Sequence, residues 1–147
     1  MDYASCMRID PVSLLTLNAA AQVLVASLLG WLMLLPMQPW GGALRQLDLK
    51  SLRSTHLDWL MLAFMQWGAA FLISRFPQAS SPLAATLLVF GGWTNALPYL
   101  LRGFGINAFA LAGPPKQLLS ALISAASSLA ITVAWAMLLL RAAGSLT

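Results

Sequence analysis

THLDWLMLAFMQWGAAFLIS, residues 55–74, decides the architecture. Beyond its first turn, which holds His56 and Asp58, the stretch carries no charge. It is as long as the roughly 20 helical residues that cross a hydrocarbon core. Three more stretches read the same way. Val12 to Leu35 contains Thr16, Asn18, Gln22 and Ser27 and ends at Pro36 and Pro39; Leu83 to Leu101 carries Asn95, Pro98 and Tyr99; Gln117 to Leu140 lies between Lys116 and Arg141. The chain is therefore expected to be an all-α integral membrane protein. It forms a single domain over residues 1–147, a four-helix transmembrane bundle with spans at about 12–35, 55–74, 83–101 and 117–140. The first span is longer than the apolar core of a signal peptide, and Asp2 and Asp10 dilute its leading edge, so it is read as retained.

Composition agrees. Hydrophobic residues make up 60% of the chain and charged residues 8%. A soluble domain has about a quarter of its residues charged. The net charge of +4 does not indicate nucleic acid, because the basic residues stand singly between apolar runs and form no track for phosphates. The single Cys6 excludes an intrachain disulfide, a CxxC pair and covalent haem attachment, so any cofactor is held noncovalently.

Residues 36–54 hold Arg45, Asp48, Lys50 and Arg53; a short turn covers 75–82; residues 102–116 are rich in Gly and Pro. Four spans put the first and third loops on one side, with Arg45, Lys50, Arg53, Arg102 and Lys116 against Arg8, Arg75 and Arg141 on the other. The positive-inside bias makes loops 36–54 and 102–116 cytoplasmic. In the fourth span, Ser120, Ser124 and Ser128, with Ala121 and Ala125 beside them, form a small-residue stripe that marks a helix contact, within one protomer or between copies.

Ionisable and amide side chains within spans are the site candidates. His56 is the only histidine, which rules out two-histidine metal sites within one chain but leaves a single axial ligand possible. The alternative is an interfacial histidine solvating a helix start. Asp58 is explained by the helix dipole, since a carboxylate in a first turn needs no catalytic role. In the third span Gly92, Asn95, Tyr99 and Arg102 share a stripe, and Pro98 frees the carbonyl of Thr94 and bends the helix there. That polar edge is either a seam between helices or part of a site. Because the second span starts where the third one ends, His56 and Tyr99 are expected at similar depth beneath the basic residues, which suits a haem with propionates toward that surface.

From Trp93 to Pro114 the chain resembles the styrene oxide isomerases, a family of small bacterial four-helix membrane proteins. Trp93, Asn95, Tyr99, Phe104, Asn107, Gly113 and Pro114 fall at the family's spacing, and His56, preceded by Arg53, lies about the family's distance ahead. The specific likeness covers about a third of the chain. It implies a bacterial inner-membrane homotrimer with ferric haem b between protomers. His56 would be the iron ligand, Tyr99 would orient the substrate oxygen, and Asn95 and Trp93 would line the same region. Arg53 and Arg102 are the nearby basic residues for the propionates. The implied reaction opens a hydrophobic aryl epoxide such as styrene oxide by Lewis-acid polarisation, and a 1,2-hydride shift yields the aldehyde without net redox change. Two departures stand out. The family has an asparagine six residues after the histidine where this chain has Leu62, and the segment between Arg53 and His56 is one residue longer. Gln66, one turn deeper on the same face, is expected to supply the lost amide.

Other functions remain on this architecture. A haem protein for haem or gas sensing or for electron transfer is the leading alternative; an electron-transfer haem would want a second strong axial ligand, which with no other histidine only a Met could provide. A cofactor-free membrane protein would act through helix contacts. A proton-coupled exporter is disfavoured by the absence of Glu and of a carboxylate in any span interior.

Overall fold

The computed structural model describes residues 10–106, 109 and 115–144. Cys6, Asn107, Gly113 and Pro114 lie outside them, as does the Lys116 side chain. The described elements are helical: α1 (Pro11–Leu32), α2 (Leu49–Arg75), α3 (Pro82–Thr94), α4 (Leu97–Gly103) and α5 (Pro115–Ala143), with 3-10 turns at Leu35–Met37, Gly42–Gln46 and Pro77–Ala79. Among the described residues, four stretches are long and apolar enough to cross a membrane: Pro11–Met37, Leu49–Arg75, Pro82–Gly103 and Gln117–Ala143. The chain is thus an all-α, multi-pass membrane protein. Large apolar side chains such as Trp31, Met37, Phe71 and Leu140 face outward, as the lipid solvent permits.

Short polar side chains start the helices. Asp10 accepts from the Ser13 N–H at 2.9 Å, and Pro11 takes the first helical position, where its missing N–H is not needed. Ser81 accepts from the Ala84 N–H at 3.3 Å ahead of Pro82. Asp48 accepts from the N–H groups of Lys50 and Ser51 at 3.1 and 3.2 Å and from the Ser51 hydroxyl at 2.6 Å. That last cap corrects the expected start of the second span. The helix begins at Leu49 rather than near Thr55, because Lys50 and Arg53 sit in its first turns as headgroup-level charges instead of breaking it. Asp58 consequently lies in the third turn, where the helix dipole no longer accounts for it.

The third span is broken rather than bent. α3 ends at Thr94, Asn95 and Ala96 form a turn, and α4 restarts at Leu97 with Pro98 in its first turn. At the break, the carbonyls of Gly92 and Trp93 accept instead from side chains of other helices, Gln22 Nε2 and Trp59 Nε1 respectively, the latter at 3.3 Å. A broken helix survives in lipid only when its freed backbone groups are re-satisfied in this way.

α1 packs on α2, α3 on α5, and α4 on α2. Adjacent glycines let α3 serve two partners. A Cβ on Gly91 would collide with Ile131 and meet the Ser127 carbonyl at 3.0 Å on α5; one on Gly92 would collide with Gln66 Nε2 and come within 3.3 Å of Gln22 Oε1. The interior is layered. One apolar cluster, rich in alanine, joins Leu15, Ala69, Ile73, Ala84, Leu88, Ala134 and Leu138; a second joins Ala26, Leu29, Leu52, Trp59 and Ala96 toward the first loop. Between them lies a layer of amides. The buried face of α5 runs through Ala121, Ser127, Ala130, Ala134 and Leu138, whereas Ala125 and Ser128 of the expected stripe remain exposed. Packing against α3 selects the stripe around Ser127, because that is where Gly91 permits close approach.

Candidate functional site

His56 projects from α2 toward α1. Its Nδ1 lies 2.7 Å from the carbonyl oxygen of Ala26. A carbonyl only accepts, so Nδ1 donates, and in the neutral ring Nε2 keeps the lone pair. One turn beyond Ala26 on α1 is Gly30, whose lack of a side chain admits the imidazole: a Cβ there would sit 3.3 Å from Cε1 and 3.5 Å from Nδ1. The ring is half-buried.

Around it the loop-one end of the bundle is assembled by two contacts. The Asp48 N–H donates to the Gly103 carbonyl at 3.1 Å, and Gly103 packs against Leu52 so closely that a Cβ would collide with it. The start of α2 and the end of α4 are therefore side by side. His56 lies one turn inward from Leu52 and Tyr99 one turn inward from Gly103, so both stand roughly 6 Å below that contact at 1.5 Å per residue. Arg53, one turn before His56, and Arg102, in the last turn of α4, are exposed at this end. The Asp48 carboxyl is held below the usual range, first by the Ser51 hydroxyl, then by the Ser51 and Lys50 N–H groups, with Arg102 adding to the effect.

The expected stripe on the third span does not stay together. The break at Asn95–Ala96 sends its members to different partners. Gly92 faces α1 and α2. Asn95 Oδ1 accepts from the hydroxyls of Ser127 at 3.2 Å and Ser128 at 2.8 Å on α5. The Tyr99 ring is half-buried and meets Phe109 edge-on, with centroids 4.7 Å apart. Trp93 turns into the bundle, donating from Nε1 to Asn18 Oδ1 at 2.9 Å, and its ring meets Trp59 in a T-shaped contact at 5.9 Å.

Gln66 is engaged inside the bundle. Its Oε1 accepts from Asn18 Nδ2 at 2.5 Å, and its Nε2 donates to Gln22 Oε1 at 2.6 Å. Gln22 Nε2 in turn donates to the Gly92 carbonyl, and Trp93 closes the circuit on Asn18. Four hydrogen bonds thus tie α1, α2 and α3, and the side chains of Gln22 and Gln66 are 0% and 1% exposed. Along α2, Gln66 is roughly 15 Å from His56. Leu62 lies between them and is buried. The amide expected to reach a substrate is occupied in holding helices, and its immediate neighbours are Asn18 and Gln22.

Asn18, Gln22, Ala26, Gly30 and Trp59 are the residues that sequence reasoning did not place in a site. The two amides carried a usable signal, since an uncompensated amide within a span is costly. Ala26 and Gly30 carried none, because an alanine and a glycine in an apolar helix are ordinary. Asp58, half-buried in the third turn of α2, also revises the statement that no span interior holds a carboxylate. Among the described residues no cluster of three or more His, Cys, Asp or Glu side chains is placed to hold a metal ion. Comparisons with protein-family models, curated proteins and solved structures returned no significant match.

Proposed function

We propose that this chain is a membrane-bound, haem-dependent epoxide isomerase, with His56 as the axial ligand and an aryl epoxide of the styrene oxide type as substrate. The observation that carries the reading is the His56 to Ala26 hydrogen bond, which leaves Nε2 as a free donor atom on a half-buried ring. Metal-ligating histidines almost always anchor their other ring nitrogen in this manner. The donor set fits a single-histidine haem. The ring is not sealed inside the bundle, which suits a macrocycle at the protomer's edge, shared with another copy in a homotrimer. Arg53 and Arg102 are exposed at the same end of the bundle, where they would neutralise propionates.

When bound, ferric haem supplies a Lewis acid for the epoxide oxygen. The protein's own residues do the rest. His56 would hold the group, and the Tyr99 hydroxyl would orient an ether oxygen by donating a hydrogen bond. Trp93 would line the same region, and the surrounding lipid and apolar side chains would keep water from the opening epoxide, favouring rearrangement over hydrolysis. The test is incubation of purified protein with styrene oxide without reductant. Phenylacetaldehyde formation that is lost in Tyr99→Phe is the expected result; phenylethanediol, or no product from any aryl epoxide, would overturn the reading.

One observation favours a second reading, a carrier: Asp58 is a carboxylate within a span. Uptake into vesicles driven by a proton gradient and abolished by Asp58→Asn would establish it.

A further inference from the structure

We infer that Ala26 and Gly30 on α1 are positioning residues that fix the His56 imidazole as its Nδ1–H tautomer, presenting Nε2 as the one donor atom to an incoming metal centre. This deepens the proposed ligand role of His56 and rests on it for its purpose, but its geometry does not depend on haem.

An imidazole without partners favours the proton on Nε2, the arrangement that blocks metal binding through that atom. The structure reverses the preference. The Ala26 carbonyl stands 2.7 Å from Nδ1, and as an acceptor it demands the proton there. Ala26 lies inside α1, so its carbonyl is also the one that the Gly30 N–H reaches in the helical ladder; the oxygen accepts a second bond through its other lone pair. The imidazole approaches this oxygen at the position that a residue-30 side chain would cover. A Cβ at Gly30 would stand 3.3 Å from Cε1, tighter than ordinary van der Waals contact, and a branched side chain would exclude the ring. Gly30 is therefore the opening through which α2 reaches the α1 backbone.

Two consequences follow for the ligand. The ring plane is set by a rigid backbone atom, so Nε2 has a fixed direction before any metal arrives, which lowers the ordering entropy of binding. A ring that donates from Nδ1 is also the more basic ligand at Nε2, which stabilises a ferric over a ferrous centre. That electronic bias suits Lewis-acid work and opposes reduction.

The chain has one histidine, so labelling with 15N-histidine gives a single-residue spectrum. Full-length protein, produced in cells unable to make haem and reconstituted in lipid nanodiscs, is measured by long-range 1H–15N correlation at a pH where the ring is neutral. The expected wild-type pattern is Nδ1 pyrrole-like and Nε2 pyridine-like. Gly30→Val exchanges the two patterns or averages them, while Gly68→Val, at an exposed glycine of α2 with no neighbour closer than Trp135 at 3.8 Å, keeps the wild-type pattern. A wild-type spectrum with the proton on Nε2 overturns the inference whatever the variants do, as does a Gly30→Val spectrum identical to wild type. A correct tautomer in a protein that takes up no haem would leave the positioning intact and refute the haem reading instead.

Discussion

Gln66 donates from Nε2 to Gln22 Oε1 across 2.6 Å, near the middle of two spans and out of reach of water. Both amides are engaged through oxygen and nitrogen by neighbours on α1, α2 and α3, so the pair reports the register of three helices at once. Interhelical hydrogen bonds in membranes average about 0.6 kcal/mol and reach about 1.7. Leaving a buried partner unsatisfied costs about 1–3 kcal/mol. The layer therefore acts more by penalising wrong registers than by adding stability to the right one.

Gln66→Leu should destabilise the bundle by about 1–3 kcal/mol, because Asn18 Nδ2 and Gln22 Oε1 both lose their partner. Thermal unfolding in a mild detergent measures it. Turnover of any accepted epoxide per folded molecule should stay near wild type, since the amide is committed to the helices. A large loss of turnover at unchanged stability would return Gln66 to the substrate pocket.

Gly92→Ala should be more damaging than its size suggests. The new methyl collides with Gln66 Nε2 and crowds Gln22 Oε1, an overpacking that typically costs about 1–3 kcal/mol and here also strains the circuit. Gly42→Ala, which meets nothing within 4 Å, is the matched control. Equal melting temperatures for the two variants would argue against a tightly packed amide layer.

Acid should loosen the loop-one end. The folded Asp48 carboxyl titrates below its unfolded value, so its contribution is complete above the ordinary aspartate range and is lost as pH falls through the depressed folded value. The first cause is the Ser51 hydroxyl, so Ser51→Ala should reduce this acid sensitivity by raising the folded value toward the ordinary one. Hydrogen exchange of the Leu49–Arg53 amides between about pH 5 and pH 3 reads the effect. Protection independent of pH over that window in wild type would contradict it.

Arg53→Gln combined with Arg102→Gln should weaken haem retention without unfolding the bundle, as both side chains are exposed. The measurement is haem content after gel filtration at rising salt. Retention equal to wild type at every salt concentration would show that these arginines do not face the propionates.

Much of the fold was legible because hydropathy over 20 residues is a strong signal: the number of spans, their order and the apolar class all follow from it. The start of α2 was not, since Lys50 and Arg53 resemble loop residues until Asp48 is recognised as a cap. Pro98 announced a distortion at the correct place, yet whether a helix bends or breaks depends on who satisfies the freed carbonyls, and Gln22 and Trp59 lie far away in sequence. The stripe through Gly92, Asn95, Tyr99 and Arg102 assumed an unbroken helix and dissolved with it. For the site, a lone histidine within an apolar run stood out immediately. Its orientation did not, because that is set by the carbonyl of an alanine and by the absence of a side chain at Gly30, neither of which differs in sequence from ordinary helix filling.

Haem ligation by His56 is tested by the absorption spectrum of detergent-purified protein, wild type beside His56→Ala, recorded with added haemin. The expected result is a Soret band in the wild type, a ferric spectrum without a second strong axial ligand, and loss of that band in the variant while its helical content persists. A wild type that binds no haem, or a Soret band unchanged by removal of the sole imidazole, would contradict it.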